Sequence, residues 1–166
     1  MSLLLFFKNQ LQKESPATKK MLERIPDDKF EWQPHAKSMK LGVLAIHVAE
    51  LPTWIGMVLN TSELDFAANS WQPAPITATE DLLKFFEKNL EEGLSQLSIG
   101  QESELKKLWT MRNGNEIYLE ESKEDVLRIT LSQLIHHRAQ LGVYLRLLDI
   151  PIPGSYGPSA DDPSFS

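Results

Sequence analysis

Apolar side chains recur along this chain at helical spacing in four separate stretches. In the first, Leu4, Phe7, Leu11, Thr18, Leu22 and Ile25 share one face of a 3.6-residue repeat, which predicts a helix over residues 3–25. Pro16 interrupts that helix. Proline lacks an amide donor and crowds the preceding turn, so a kink or restart is expected there, with Ser15 as N-cap. Pro26-Asp27-Asp28 ends the segment, and Trp32-Gln33-Pro34-His35-Ala36-Lys37 reads as an extended connection, because Pro34 biases Gln33 away from helix.

Ser38 is a candidate N-cap for a second helix reaching Asn60, with Leu44, His47, Leu51, Trp54 and Val58 on its inward stripe and a bend at Pro52. A polar link containing Trp71-Gln72-Pro73-Ala74-Pro75 covers residues 61–76. Thr77 and Glu80 then stand at capping-box spacing, and Leu82, Leu83, Phe86, Leu90, Leu94 and Leu97 give a third helix its core face as far as Ile99 and Gly100. The β-prone residues 108–111 and 117–119 flank Arg112-Asn113-Gly114-Asn115-Glu116, a hairpin or long loop. A fourth helix starts near Ser122, with Glu124 and Asp125 favouring its positive end, and closes before Pro151 and Pro153. The expected fold is all-α: a four-helix bundle with long connections and a short hairpin or loop before the last helix, in one domain over residues 1–166.

The chain has 166 residues, enough to bury a self-sufficient core, and 42% hydrophobic with 24% charged residues is an ordinary globular balance. Lys and Arg number 17 against 23 Asp and Glu, a formal charge of -6 that opposes a phosphate backbone. Lys19-Lys20 and Lys106-Lys107 are isolated pairs, so nucleic-acid binding is not expected. With no cysteine, thiolate nucleophiles, sulfur-bound metals and disulfides are excluded. The run Leu3-Leu4-Leu5-Phe6-Phe7 is too short for a signal peptide, and no stretch is expected to reach the ~20 apolar residues of a membrane span. A cytoplasmic location is the default expectation.

His47 is the unusual member of the second helix's inward stripe. One reading is a core histidine satisfied by a carbonyl or carboxylate. On the fourth helix, Leu127, Leu131, Leu134, Leu141, Leu145 and Leu148 form the buried stripe, and Gln133, His137, Gln140 and Tyr144 line a polar strip beside it. His47 and His137 can therefore share a metal ion, with Gln133 as a weaker third ligand one turn before His137. Glu50 either completes the ligand set or orients the His47 imidazole. His136 points elsewhere, and His35 is expected at the surface. Arg138 falls within the leucine stripe, where it needs a carboxylate partner or a water-lined cavity; it is either a structural ion pair or an anion-binding group beside the metal. Trp54 and Tyr144 are pocket walls or plain core. Ile129, Val143 and Leu147 could supply an apolar dimer face. No glycine-rich phosphate loop, serine elbow or His-Glu-x-x-His helix is present.

The string His136-His137-Arg138-Ala139-Gln140-Leu141-Gly142-Val143-Tyr144-Leu145-Arg146 resembles the DinB/YfiT-like family. The resemblance extends to Pro34-His35-Ala36-Lys37-Ser38, to His47 with Ala49-Glu50, and to Pro153 with Tyr156-Gly157-Pro158-Ser159-Ala160-Asp161. It implies a four-helix bundle, usually a homodimer, holding a divalent metal such as Ni, Zn or Fe through three histidines. By position the first matches His47 and the last His137, while the middle one is replaced by Gln133. The resemblance further implies a small-molecule transferase, using a low-molecular-weight thiol, or an isomerase. Two functional expectations follow: a metal-dependent transferase or hydrolase acting on a small molecule, or a non-catalytic dimeric module whose metal site has degenerated at Gln133. No residue is assigned as general base.

Overall fold

A computed structural model describes residues 2–163. Its four helices are α1 (Leu3–Leu22), α2 (Leu41–Asn60), α3 (Thr79–Ile99) and α4 (Lys123–Leu147). Three strands accompany them: β1 (Glu63–Asp65), β2 (Leu108–Asn113) and β3 (Glu116–Ser122). The bundle is as expected, whereas the all-α description needs correction, because a three-stranded sheet in the order β1-β2-β3 sits where α2 ends and α4 begins. The expected hairpin is β2 with β3, turning at Gly114 with φ 58 and carrying a register shift between Met111 and Arg112. β1 was not anticipated. It pairs in parallel with β2, Glu63 opposite Thr110, after the chain has crossed over through α3.

Both α1 and α2 pack against α3 and α4, so α1 and α2 occupy opposite corners of the bundle. Leu44, Leu51, Ile55 and Val58 of α2 meet Leu82 and Phe86 of α3 and Leu127, Leu134, Leu141 and Leu145 of α4 in one core. Gly93 lets α3 approach α2 closely: a Cβ there would lie 2.6 Å from the Pro52 carbonyl oxygen. Trp109 is fully buried and its indole donates to Thr61 Oγ1 at 3.0 Å, which fastens the sheet to the end of α2.

Several helix boundaries differ from the sequence expectation for identifiable reasons. α1 runs through Pro16 without restarting, because the Ser15 hydroxyl donates at 3.0 Å to Gln12 O, the carbonyl that the missing proline amide leaves open. Ser2 is the N-cap of α1. α2 begins at Leu41 rather than behind Ser38, whose amide instead closes a turn onto His35 O at 2.9 Å. The first amides of α2 are satisfied by the backbone: Leu41 N donates to Trp32 O at 2.7 Å and Gly42 N to Phe30 O at 2.9 Å. The capping box at Thr77 and Glu80 does not form. α3 starts at Thr79, whose amide donates to Asp27 Oδ1 at 2.7 Å, while Glu80 pairs with Lys84. Ser122 caps α4 as expected, accepting from Asp125 N.

One further expectation needs amendment. Leu41–Asn60 is long and apolar enough, by length and composition, to cross a membrane. In this fold most of that helix is buried between α3 and α4, and its apolarity reflects a position in the core.

Candidate functional site

The inward stripe of α2 brings His47 to the wall that faces α4, where its side chain is 18% exposed. Its Nδ1 lies 2.8 Å from Glu50 Oε1, one turn along the same helix. On α4, His137 repeats this arrangement, with Nδ1 2.7 Å from Gln140 Oε1. An oxygen acceptor at each Nδ1 places the proton of a neutral imidazole there and leaves the Nε2 lone pair available. The two rings stand 4.9 Å apart, inclined at 72°.

That separation tests whether a metal fits. A tetrahedral ion bound at ~2.1 Å to two ring nitrogens holds the ring centres about 5 Å apart; the 4.9 Å spacing meets that distance, and edge-to-face packing of the two rings meets it equally. Glu50 and Gln140 are already engaged as acceptors for the two rings, so they stand where outer partners of metal-bound histidines stand. The set is short of strong ligands: among the described residues no group of three or more His, Cys, Asp or Glu is placed to hold a cation. Gln133 is exposed on α4 one turn before His137. His136 is exposed with its ring 5.0 Å from that of His137, and His35 is exposed with Nδ1 accepting from Lys37 N.

The His137 imidazole has its pKa pushed below the ordinary value. Burial of the charged form is the largest cause, the neighbouring His47 and His136 add to it, and the hydrogen bond to Gln140 opposes it. At neutral pH this favours the unprotonated ring, the form that can donate a lone pair.

His47 also borders a cavity of about 520 Å³. Trp54 forms one wall, its ring edge-on to His47 at 6.4 Å. Trp71 forms another, edge-on at 6.0 Å on a different side. Leu64 of β1 and Phe66 just after it contribute further lining, as do Met39 and Met57. The sequence reading identified Trp54 and missed the rest. The available signal was Phe66 and Trp71, two large aromatics in a largely polar link. Tyr144 supports this wall without lining it: its ring meets Trp32 edge-on at 5.8 Å and its hydroxyl donates to Met39 O at 3.3 Å.

Arg138 is not beside the histidines. It points to α1 and takes the ion-pair alternative, with Nη2 2.8 Å from Glu14 Oε2 and both side chains at most 3% exposed. Its Nη1 donates to Glu14 O and Thr18 Oγ1, and its Nη2 to Ser155 Oγ. The physical reason is Glu14, a buried carboxylate on α1 that also accepts from Gln10 Nε2 and the Tyr156 hydroxyl. Both terminal nitrogens of the arginine are thus held by protein oxygens.

The family model described as DinB family matches residues 1–164. A protein of Bacillus subtilis strain 168, named uncharacterized protein YrdA, is 25% identical over 154 residues, spanning 90% of this chain and 85% of that protein. Among solved structures, a DinB-like protein from Bacillus cereus ATCC 10987 superposes with a TM-score of 0.69 at 18% identity, covering 90% of this chain and 95% of the other. A DinB-like protein from Bacillus subtilis gives 0.66 at 17% identity, covering 88% and 95%. The structural likeness concerns the fold, and the family match runs through both helices that carry the imidazoles: this chain belongs to the DinB family.

Proposed function

We propose that the chain is a divalent-metal-dependent enzyme of the DinB family, a transferase or hydrolase acting on a small molecule. The observation that supports this most is the pair of imidazoles, His47 and His137, 4.9 Å apart with both Nδ1 atoms engaged by oxygen acceptors. His47 and His137 would hold a Ni, Zn or Fe ion, with Gln133 as the weaker third protein ligand. Such an ion supplies Lewis acidity, lowering the pKa of a water or a low-molecular-weight thiol enough to make it a nucleophile at neutral pH. Glu50 and Gln140 orient the rings, and Trp54 and Trp71 shield the pair from bulk water. In this reading the protein works in the cytoplasm, with neither nucleic acid nor membrane as partner, in keeping with its charge of -6.

The test is metal content by elemental analysis and affinity by titration, in wild type and His47→Ala. Stoichiometric binding that is lost in the variant is the expected result. Metal bound equally well by both proteins removes the proposal.

A second reading is favoured because, among the described residues, no third His, Cys, Asp or Glu joins the pair in a cation-holding group. In it the site is degenerate and the chain is a non-catalytic dimeric module, using Val143 and Leu147, 60% and 59% exposed on α4, as part of the contact. Gln133→His separates the two. A gain of more than about tenfold in metal affinity supports degeneration, whereas no gain supports a working two-histidine site. Gel filtration showing only monomer counts against the dimer.

A further inference from the structure

The cavity beside His47 has a chemical character that narrows what can enter it. Its size, about 520 Å³, lies in the range of small-molecule sites. Met39, Trp54, Met57, Leu64, Phe66 and Trp71 supply its apolar lining. Apart from His47, the remaining lining residues are uncharged polar side chains, Asn69, Ser70 and Gln72. Among the described residues, then, no Lys, Arg, Asp or Glu lines it. In the metal-free chain an anionic ligand entering this space loses hydration without meeting a cationic side chain, which is costly. A flat aromatic ligand meets two indoles, a phenyl ring and two thioethers, surfaces that favour ring contacts through offset and sulfur–aromatic packing.

We propose that this cavity binds the uncharged aromatic body of a small molecule and directs one polar or electrophilic group of it toward His47. Recognition comes from the apolar walls and Trp71, and it excludes anionic compounds of the same shape. What happens to the group at His47 rests on the enzymatic reading above; the recognition itself does not, and is measured without metal.

The metal-free full-length chain is titrated with N-phenylnaphthylamine, a neutral fluorescent probe, and with anilinonaphthalenesulfonate, the same ring system bearing a sulfonate. Probe emission and tryptophan quenching both report binding, since Trp54 and Trp71 line the cavity. The neutral probe is expected to saturate at one site and to bind at least about tenfold more tightly than the sulfonate. Trp71→Ala should weaken it about tenfold, because Trp71 sits in a link between helices and can be truncated without cutting the core. Met39→Lys, at the half-exposed rim, should narrow the preference by providing a cation for the sulfonate. Leu5→Ser, on the exposed face of α1, should change neither affinity. Equal affinity for the two probes, no saturable binding of the neutral one, or a loss caused by Leu5→Ser and not by Trp71→Ala would each overturn the proposal. If the neutral probe binds as expected while wild type takes up no metal, only the enzymatic reading falls.

Discussion

Helix α4 carries two inward polar groups one residue apart, and they have opposite fates. Arg138 meets Glu14, Thr18 and Ser155 in a buried network in which each guanidinium nitrogen named above has an oxygen partner. His137, on the adjoining face, has one ring nitrogen engaged by Gln140, and its ring lies 4.9 Å from that of His47. Both were candidates for chemistry on the same grounds, a polar side chain on or beside an apolar stripe. What separates them is engagement: a guanidinium whose terminal nitrogens are both held by its own protein has little left for a ligand.

The contrast breaks most visibly on the arginine side. Glu14→Ala strands a buried guanidinium and should cost about 3–5 kcal/mol of stability, measured by denaturant unfolding; a loss under ~1 kcal/mol would mean the pair is not structural. On the histidine side the ordering inverts. His137→Ala should lower metal affinity by about 100-fold or more while changing unfolding by less than ~1 kcal/mol, because its ring is only partly buried. Glu50→Ala sharpens the point, since it leaves both imidazoles in place and removes the acceptor of His47: if the pair holds a metal, about tenfold weaker binding is expected by titration. The smallest effect is on acid stability of the metal-free chain. The His137 pKa is lowered by burial, so the unfolded state binds more protons between the folded value and ~6.5. Stability is complete above ~6.5 and declines as pH falls through the folded value. His137→Asn should flatten that slope in unfolding measured across pH, and an unchanged slope would show that this ring is not held in its neutral form.

The helices were legible because apolar period is a local signal: Leu82, Phe86 and Leu97 are buried as their spacing predicted, and Ser122 is the cap it resembled. The errors share a cause. Ser15, Ser38 and Thr77 have the chemistry of caps, but a cap is needed only where backbone groups lack partners. At Leu41 and Gly42 the chain supplies carbonyls from Trp32 and Phe30, and at Thr79 the acceptor comes from Asp27, distant in sequence. β1 has three residues, too few to display alternation, and its partner strand lies beyond a whole helix. In the site, spacing placed His47 and His137 on facing helices and placed Glu50 and Gln140 within one turn of them. It could not tell that Arg138 would find Glu14 on α1, nor that residues 64–72 would fold over His47, since nothing local to either segment encodes the other's position.

The parallel pairing of Glu63–Asp65 with β2 involves a strand of only 3 residues. A ladder that short has few hydrogen bonds to hold it closed against local opening. Leu64 and Phe66 ride on this short ladder and wall the cavity. The amides there are expected to exchange with deuterated solvent before those of the helical core, through partial openings that leave the four helices intact. An occupant of the cavity would slow that exchange selectively, so the protection of this short ladder reports on occupancy.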